Sequence, residues 1–284
     1  MYHGTMNIPP YWVRKEQRIG DYTCRLVGFS HSSMQAAWKM LQQHADIMQK
    51  FFSATPTAAS AQRMRAALRK LRGQDGDTYE ACLLEPVWRT VDAANVITRN
   101  RYGALVVNST DTCFADVDTA PASLWEMVKG LFGAGTPPER RLLDVMRQIH
   151  AEQPKLSMRL YRTAKGWRVL LSGEGVELGS PLVDTLFRRL HVDPLYRDLC
   201  RKQACWRARL TPKPWRLRLP RCPQAECSED AASVQAEWVR EYEAACEGRA
   251  VCRLVESFGP RLQGGIPELH DELTGVHLHR DTLA

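Results

Sequence analysis

The sequence predicts an α+β fold, and three observations carry that expectation. Paired apolar segments joined by turn formers read as antiparallel hairpins, and segments of helical period alternate with them. No internal repeat or low-complexity tract interrupts the series, and such alternation points to at least one antiparallel sheet flanked by helices. The chain has 284 residues, 44% of them hydrophobic and 25% charged. These are ordinary globular values, which exclude a disordered chain and a fibrous repeat. A chain this long buries a large core without disulfide staples.

Taken in order, residues 33–52 read as a helix. Ser32 or Ser33 is placed to cap it, and Ala37, Met40, Leu41, Ala45, Met48 and Phe52 recur at three- and four-residue steps. Residues 53–60, interrupted by Pro56, read as a connector. Residues 62–72 form a short helical pattern, and a third helix is expected after Pro86 through Val87, Val91 and Ala94. Residues 102–108 and 112–118 read as two strands, and Ser109, Thr110 and Asp111 between them suggest a hairpin. Helical patterns follow over 122–132 and 138–152. Residues 156–163 and 167–172 read as a second hairpin around Ala164-Lys165-Gly166. A helix is expected over 181–191, a strand within 204–210, a polar loop over 221–232, a helix over 233–247 with Ser233 as its cap, and a strand over 251–258. The domain division that follows is a helical N-terminal segment, 1–98, packed on an α+β core, 99–284, or a single domain containing both.

The longest uninterrupted apolar run is about Ala104 to Val107. It falls far short of the roughly 20 residues a membrane-spanning helix needs. Met1 to Pro10 has no apolar core suited to a secretory signal. A cytoplasmic protein with no membrane partner is expected. Nine scattered cysteines, without a signal peptide, argue against a disulfide framework. Cys200 and Cys205, then Cys222 and Cys227, are each spaced by four residues, and Cys246 and Cys252 follow. Buried free thiols are the preferred reading, and a structural Zn²⁺ is the alternative.

Charge is uneven along the chain. The formal net charge is +7, yet Tyr196 to Cys222 holds nine basic residues against Asp198 alone. Tyr196, Trp206 and Trp215 are interleaved with them. Cations neutralise phosphates and aromatics stack on bases, so this segment points to nucleic acid. Arg207 and Arg209 alternate on the expected strand and share a face, and Lys213 is presented by a stiff Thr-Pro-Lys-Pro-Trp loop. A second basic segment runs from Arg63 to Arg72.

Asp116 and Asp118 are the sharpest chemical signal. Residues two apart on a strand project to one face, and paired carboxylates suit a hard divalent cation such as Mg²⁺ or Mn²⁺. The alternative is a pair of solvated acids at a strand end. Lys165 and Arg168 flank the following turn and offer charge to phosphates. His270 and Asp271 add a group able to bind metal, bind phosphate or shuttle a proton, and a further carboxylate.

Several blocks carry a resemblance. IPPYWVR (Ile8–Arg14), ITRNRYGALVVN (Ile97–Asn108), FADVD (Phe114–Asp118), RLYRTAKGWRVLL (Arg159–Leu171), the segment Asp193–Arg216 and HDELT (His270–Thr274) together resemble an uncharacterised bacterial protein family. More distantly, the chain resembles the archaeo-eukaryotic primase superfamily, the primase-polymerases. Asp116 and Asp118 match that superfamily's acidic strand motif. Residues 163–168 match its second hairpin in shape. Asp193-Pro194 followed by Arg207, Arg209 and Lys213 is similar to its later basic segment. Where the superfamily carries a nucleotide-binding His, this chain has Arg168, and a guanidinium also binds triphosphate.

The resemblance implies a primase-polymerase-like core and divalent-metal-dependent nucleotidyl transfer. Asp116 and Asp118 would be catalytic metal ligands, with Asp193 or Asp271 as a third. Lys165, Arg168, Arg207, Arg209 and Lys213 would hold a nucleoside triphosphate and nucleic acid, with His270 as a further candidate. Two alternatives stand beside it: a non-catalytic nucleic-acid-binding protein, and a metal-dependent nuclease or phosphodiesterase.

Overall fold

The computed structural model describes residues 6–19, 22–53, 62, 82–118, 137–262, 265–278 and 282–284. The fold is α+β, with antiparallel pairing throughout its sheets. The helical patterns expected over 62–72 and 122–132, and the basic segment Arg63–Arg72, lie outside the described residues apart from Gln62.

The N-terminal segment is not purely helical. Strands β1 (Tyr11–Ile19) and β2 (Tyr22–Ser30) form a hairpin in continuous register, and helix α1 (Met34–Ser53) lies against them. Leu41 and Ala45 are buried with Val13 and Leu26 in their shared core. The helix approaches so closely that a Cβ at Gly28 would run into the Ala37 carbonyl oxygen. Only glycine leaves that space. Backbone hydrogen bonds from Arg14 to Glu226 and from Ser228 to Trp12 tie the hairpin to the late part of the chain.

The helix expected after Pro86 is instead strand β3 (Val87–Thr90), a turn, and strand β4 (Asn95–Arg99). Asp92 closes the turn by accepting from the Ala94 backbone N–H at 2.8 Å. The four- and three-residue steps from Val87 to Val91 and Ala94 are incidental, because β3, which holds Val87, is exposed along its whole length and Val91 and Ala94 lie beyond it. Strand β5 (Leu105–Ser109) pairs with β4 on one side and with β9 (Trp206–Arg209) on the other, giving the sheet order β3-β4-β5-β9.

Strand β6 (Cys113–Asp118) does not form the expected hairpin with β5. Both edges of β5 are already taken by β4 and β9. The connecting turn docks on the β3–β4 turn, through Thr110 N–H to Ala94 O at 3.0 Å and Asn95 Nδ2 to Asp111 Oδ2 at 3.0 Å. The chain thus crosses to a different sheet, where β6 pairs with β8 (Gly166–Ser172). The second expected hairpin is present: β7 (Ser157–Thr163) pairs with β8 around Ala164-Lys165. With β10 (Cys252–Phe258) this sheet has the order β10-β7-β8-β6.

Helices α2 (Pro138–Glu152), α3 (Pro181–Arg189), α4 (Pro194–Gln203), α5 (Ala231–Cys246) and α6 (Ile266–Leu273) complete the described elements. Leu142, Met146 and Ile149 of α2 and Val183, Leu186 and Phe187 of α3 enter the main core with Leu160, Val169 and Leu171. Helix α5 begins at Ala231, so Ser233 lies within its first turn and donates to the Asp230 carbonyl rather than capping it. No helix among the described residues is long and apolar enough to cross a membrane.

Candidate functional site

Strand β6 ends one sheet and β9 ends the other, and the two edges meet. An edge carbonyl with no strand beside it still needs a donor. Two side chains supply donors across this seam. The Tyr196 hydroxyl of α4 lies 2.8 Å from the Phe114 carbonyl of β6 and 3.0 Å from the Arg207 carbonyl of β9. Arg168 of β8 reaches past β6 to donate from Nη1 to the Arg209 carbonyl at 2.8 Å.

Arg168 faces Asp116 directly across the β6–β8 ladder, and its Nε donates to Asp116 Oδ1 at 2.9 Å. The guanidinium is only 1% exposed. Burial works against its charge, but the Asp116 carboxylate outweighs it and the pKa is raised. Asp116 itself remains 42% exposed. Asp118 closes β6 opposite Gly166, two residues on, and its side chain lies outside the described residues.

Behind Arg168 lies a buried polar chain. Its Nη1 is 3.4 Å from His270 Nε2, and His270 Nδ1 is 3.1 Å from Asp271 Oδ1. A guanidinium has no acceptor atom, so Nε2 accepts and the imidazole proton sits on Nδ1, donated to Asp271. Burial lowers the His270 pKa, the Asp271 hydrogen bond partly offsets this, and Arg168 reinforces it. Asp271 also accepts from the Tyr161 hydroxyl at 2.7 Å and from Arg159 at 2.9 Å. Burial alone would raise its pKa, but these partners hold it below the ordinary carboxylate value.

Among the described residues, the surroundings of Asp116 supply cations rather than further metal ligands. The Asp116 carboxylate accepts from Arg168, with Arg209 beyond it, and Asp271 is saturated by Arg159, Tyr161 and His270. Asp193, the other candidate third ligand, caps α4 by accepting from the Leu195 N–H at 3.0 Å. Among the described residues, no three His, Cys, Asp or Glu side chains are placed together to hold a metal ion. All nine cysteines are free thiols. The two pairs expected to share zinc are dispersed: Cys200 lies in the main core, Cys222 beside Trp238 and Tyr242, and Cys227 against β1, β2 and α1.

The basic segment separates into paired and surface cations. Arg201 pairs with Asp184 at 2.6 Å. Arg207 pairs with Glu85 at 2.6 Å, and Glu85 also accepts from Thr98. Arg207 and Arg209 do share a face of β9, as expected, while Trp206 and Ala208 are buried on the other. Two of the three interleaved aromatics are unavailable for stacking: Trp206 is fully buried, and Tyr196 is spent on the seam. Lys165 is exposed in the β7–β8 turn.

Trp215 is different. It stands 46% exposed on a single 3-10 turn, Pro214–Arg216, held at one end by Tyr242 donating to the Pro212 carbonyl at 2.6 Å. Tyr102 meets it edge-on at 5.3 Å between ring centroids. Lys213 Nζ lies 5.4 Å from the Trp215 centroid, the Arg221 guanidinium 5.2 Å from the Tyr102 centroid, and the Arg101 guanidinium 4.8 Å from it. Tyr102 and Arg101 escape a reading by composition, because they lie about a hundred residues from the basic segment. Their one local signal is Gly103, whose positive φ of 101° turns the chain toward β5; a Cβ there would strike Trp238.

No protein-family model, no curated protein and no solved structure matches this chain.

Proposed function

We propose that the protein binds single-stranded nucleic acid without catalysis, on the surface formed by Tyr102, Trp215, Arg101, Lys213 and Arg221. The observation that supports this reading is an exposed tryptophan, Trp215, paired with a half-buried Tyr102 and ringed by three cations. The half of Trp215 that is left in water is free to stack, and every base offers a π-face for it. The neighbouring cations neutralise the backbone that follows the bases.

The same chemistry ranks the catalytic reading second. Metal-dependent nucleotidyl transfer, primase-polymerase-like, requires Asp116 to ligate a divalent cation beside the Arg168 guanidinium, against charge repulsion, and so does metal-dependent hydrolysis. What favours keeping it is the exposure of Asp116 beside Arg209.

Fluorescence anisotropy with a labelled single-stranded oligonucleotide, titrated at several salt concentrations, tests the proposal. Binding is expected to weaken steeply with salt and to weaken further in Trp215→Ala, with no change in Tm. Absence of binding at low salt, or indifference to Trp215→Ala, Lys213→Ala and Arg221→Ala together, overturns it. Mn²⁺-dependent nucleotide incorporation that disappears in Asp116→Ala would restore the catalytic reading instead.

A further inference from the structure

Arg209 and Arg216 stand apart from every other cation near the seam. Arg168 has Asp116 as its counter-charge, and Arg207 has Glu85. Among the described residues, neither Arg209 nor Arg216 has an ion pair with an acid. Each also carries a buried nitrogen without a hydrogen-bond partner, Nε of Arg209 and Nη1 of Arg216, as Arg207 and Arg197 do at Nε; lacking an acid is what sets the two apart. A buried guanidinium N–H that bonds to nothing is costly, and nature rarely leaves one so. The nearest charges make the cost greater. Arg209 is beside Arg168 and Arg216, both cationic, and Asp116 is already engaged by Arg168.

We propose that Arg209 and Arg216 form a recessed site for a phosphate monoester dianion, supplied by the terminal phosphate of the bound strand or by a free monoester. The proposal rests on the nucleic-acid reading above for the first source only. Charge sets the class of ligand. Two guanidiniums that have no acid ion pair among the described residues match two negative charges, whereas an internal phosphodiester carries one. Guanidinium N–H groups match phosphate oxygens in geometry, with short charge-assisted bonds. Position relates the site to the strand. Arg216 follows Trp215 in the same 3-10 turn, so the phosphate site lies within reach of the end of a strand held at the aromatic surface. Burial, then Arg168 and Arg216, push the Arg209 pKa down to about 10, a shift that a bound dianion reverses.

The experiment compares two single-stranded oligonucleotides of one sequence, one with a 5′-phosphate and one with a 5′-hydroxyl. A parallel thermal-shift titration uses inorganic phosphate. The full chain is used as wild type, Arg209→Gln, Arg216→Gln and Trp215→Ala. The 5′-phosphate is expected to tighten binding about tenfold, the worth of one charge-assisted contact. Either arginine variant should abolish that preference, while Trp215→Ala weakens both oligonucleotides alike and preserves it. Equal binding of the two oligonucleotides, with a phosphate-induced rise in Tm that both arginine variants lose, assigns the site to a free monoester. A phosphate response without any oligonucleotide binding keeps this site and removes the nucleic-acid reading. Equal binding with no phosphate response overturns the site, and if Trp215→Ala still weakens binding, the stacking surface stands without it.

Discussion

The seam at Arg168 and the surface at Trp215 are built from the same side-chain types and do opposite things. At the seam, Arg168 is enclosed, its Nε on Asp116 and its Nη1 on the Arg209 carbonyl. At the surface, Lys213, Arg101 and Arg221 gather around two aromatic rings at the edge of the fold. A guanidinium buried against a carboxylate and a strand carbonyl holds structure. A cation placed over a half-exposed ring lies where a stacked base would bring its phosphate. The acidic pair that dominates the sequence therefore belongs to the first class on the Asp116 side, and the less conspicuous Tyr102–Trp215 pair belongs to the second.

The largest effect expected is on stability at the seam. Asp116→Asn leaves a buried guanidinium without its counter-charge. Breaking a buried pair in this way costs about 3 kcal/mol, the lower end of the usual range, since Asp116 is itself half exposed. Chemical denaturation should show this loss, and Asp116→Asn/Arg168→Met should recover part of it. If Asp116→Asn keeps wild-type stability and instead changes a metal-dependent signal, the seam is a site and the contrast collapses.

At the surface the ordering reverses. Trp215→Ala should lower oligonucleotide affinity by about 1–3 kcal/mol, the worth of one base stacked on an aromatic ring. Tm should hold, because half of the ring is in water. A fall in Tm equal to that of Asp116→Asn would mark Trp215 as structural.

Behind the seam, pH provides a third comparison. His270 is held below its ordinary value of 6.5, first by burial and also by Arg168. As pH falls below 6.5 the unfolded chain therefore takes up the proton before the folded one does, so stability declines toward acid. One proton limits that slope to about 1.4 kcal/mol per pH unit. Melts between pH 7.5 and 5.5 should show the decline, and His270→Gln should flatten it. An unchanged slope in His270→Gln would falsify the buried neutral imidazole.

The smallest effects are electrostatic. Lys213→Ala and Arg221→Ala should each reduce the slope of log K against log salt by about 0.7 for a single strand. Lys165→Ala, in the β7–β8 turn, should leave the slope unchanged. Equal slopes for all three variants would spread the binding surface over the whole basic face.

Much of the fold is legible along the chain, where the determinants are local. The β7–β8 hairpin follows from two segments around Ala164-Lys165-Gly166, and α2 and α3 match the helical patterns read over 138–152 and 181–191, the latter from Leu182, Leu186 and Leu190. The register of β8 already sets Arg168 opposite Asp116 once β6 is its neighbour. That neighbour is what local pattern does not contain. Residues 102–118 read as one hairpin because strand propensity and turn formers are local properties. Which edge a strand joins depends on which edges are already filled, here those of β5 by β4 and β9.

The same limit governs the chemistry. Residue types alone established that the chain carries a concentrated positive segment with aromatics, two acids at alternate positions of a strand, and a late His-Asp pair. Charge density and strand alternation are properties of neighbours along the backbone. Whether a charge is available is a property of neighbours in space. Long-range packing set Asp116 against Arg168, engaged Asp271 with Arg159 and Tyr161, buried Trp206, and brought Tyr102 to Trp215. It left Arg209 and Arg216 with unbonded nitrogens, because each of those outcomes depends on which segments, up to more than a hundred residues apart, share one desolvated space.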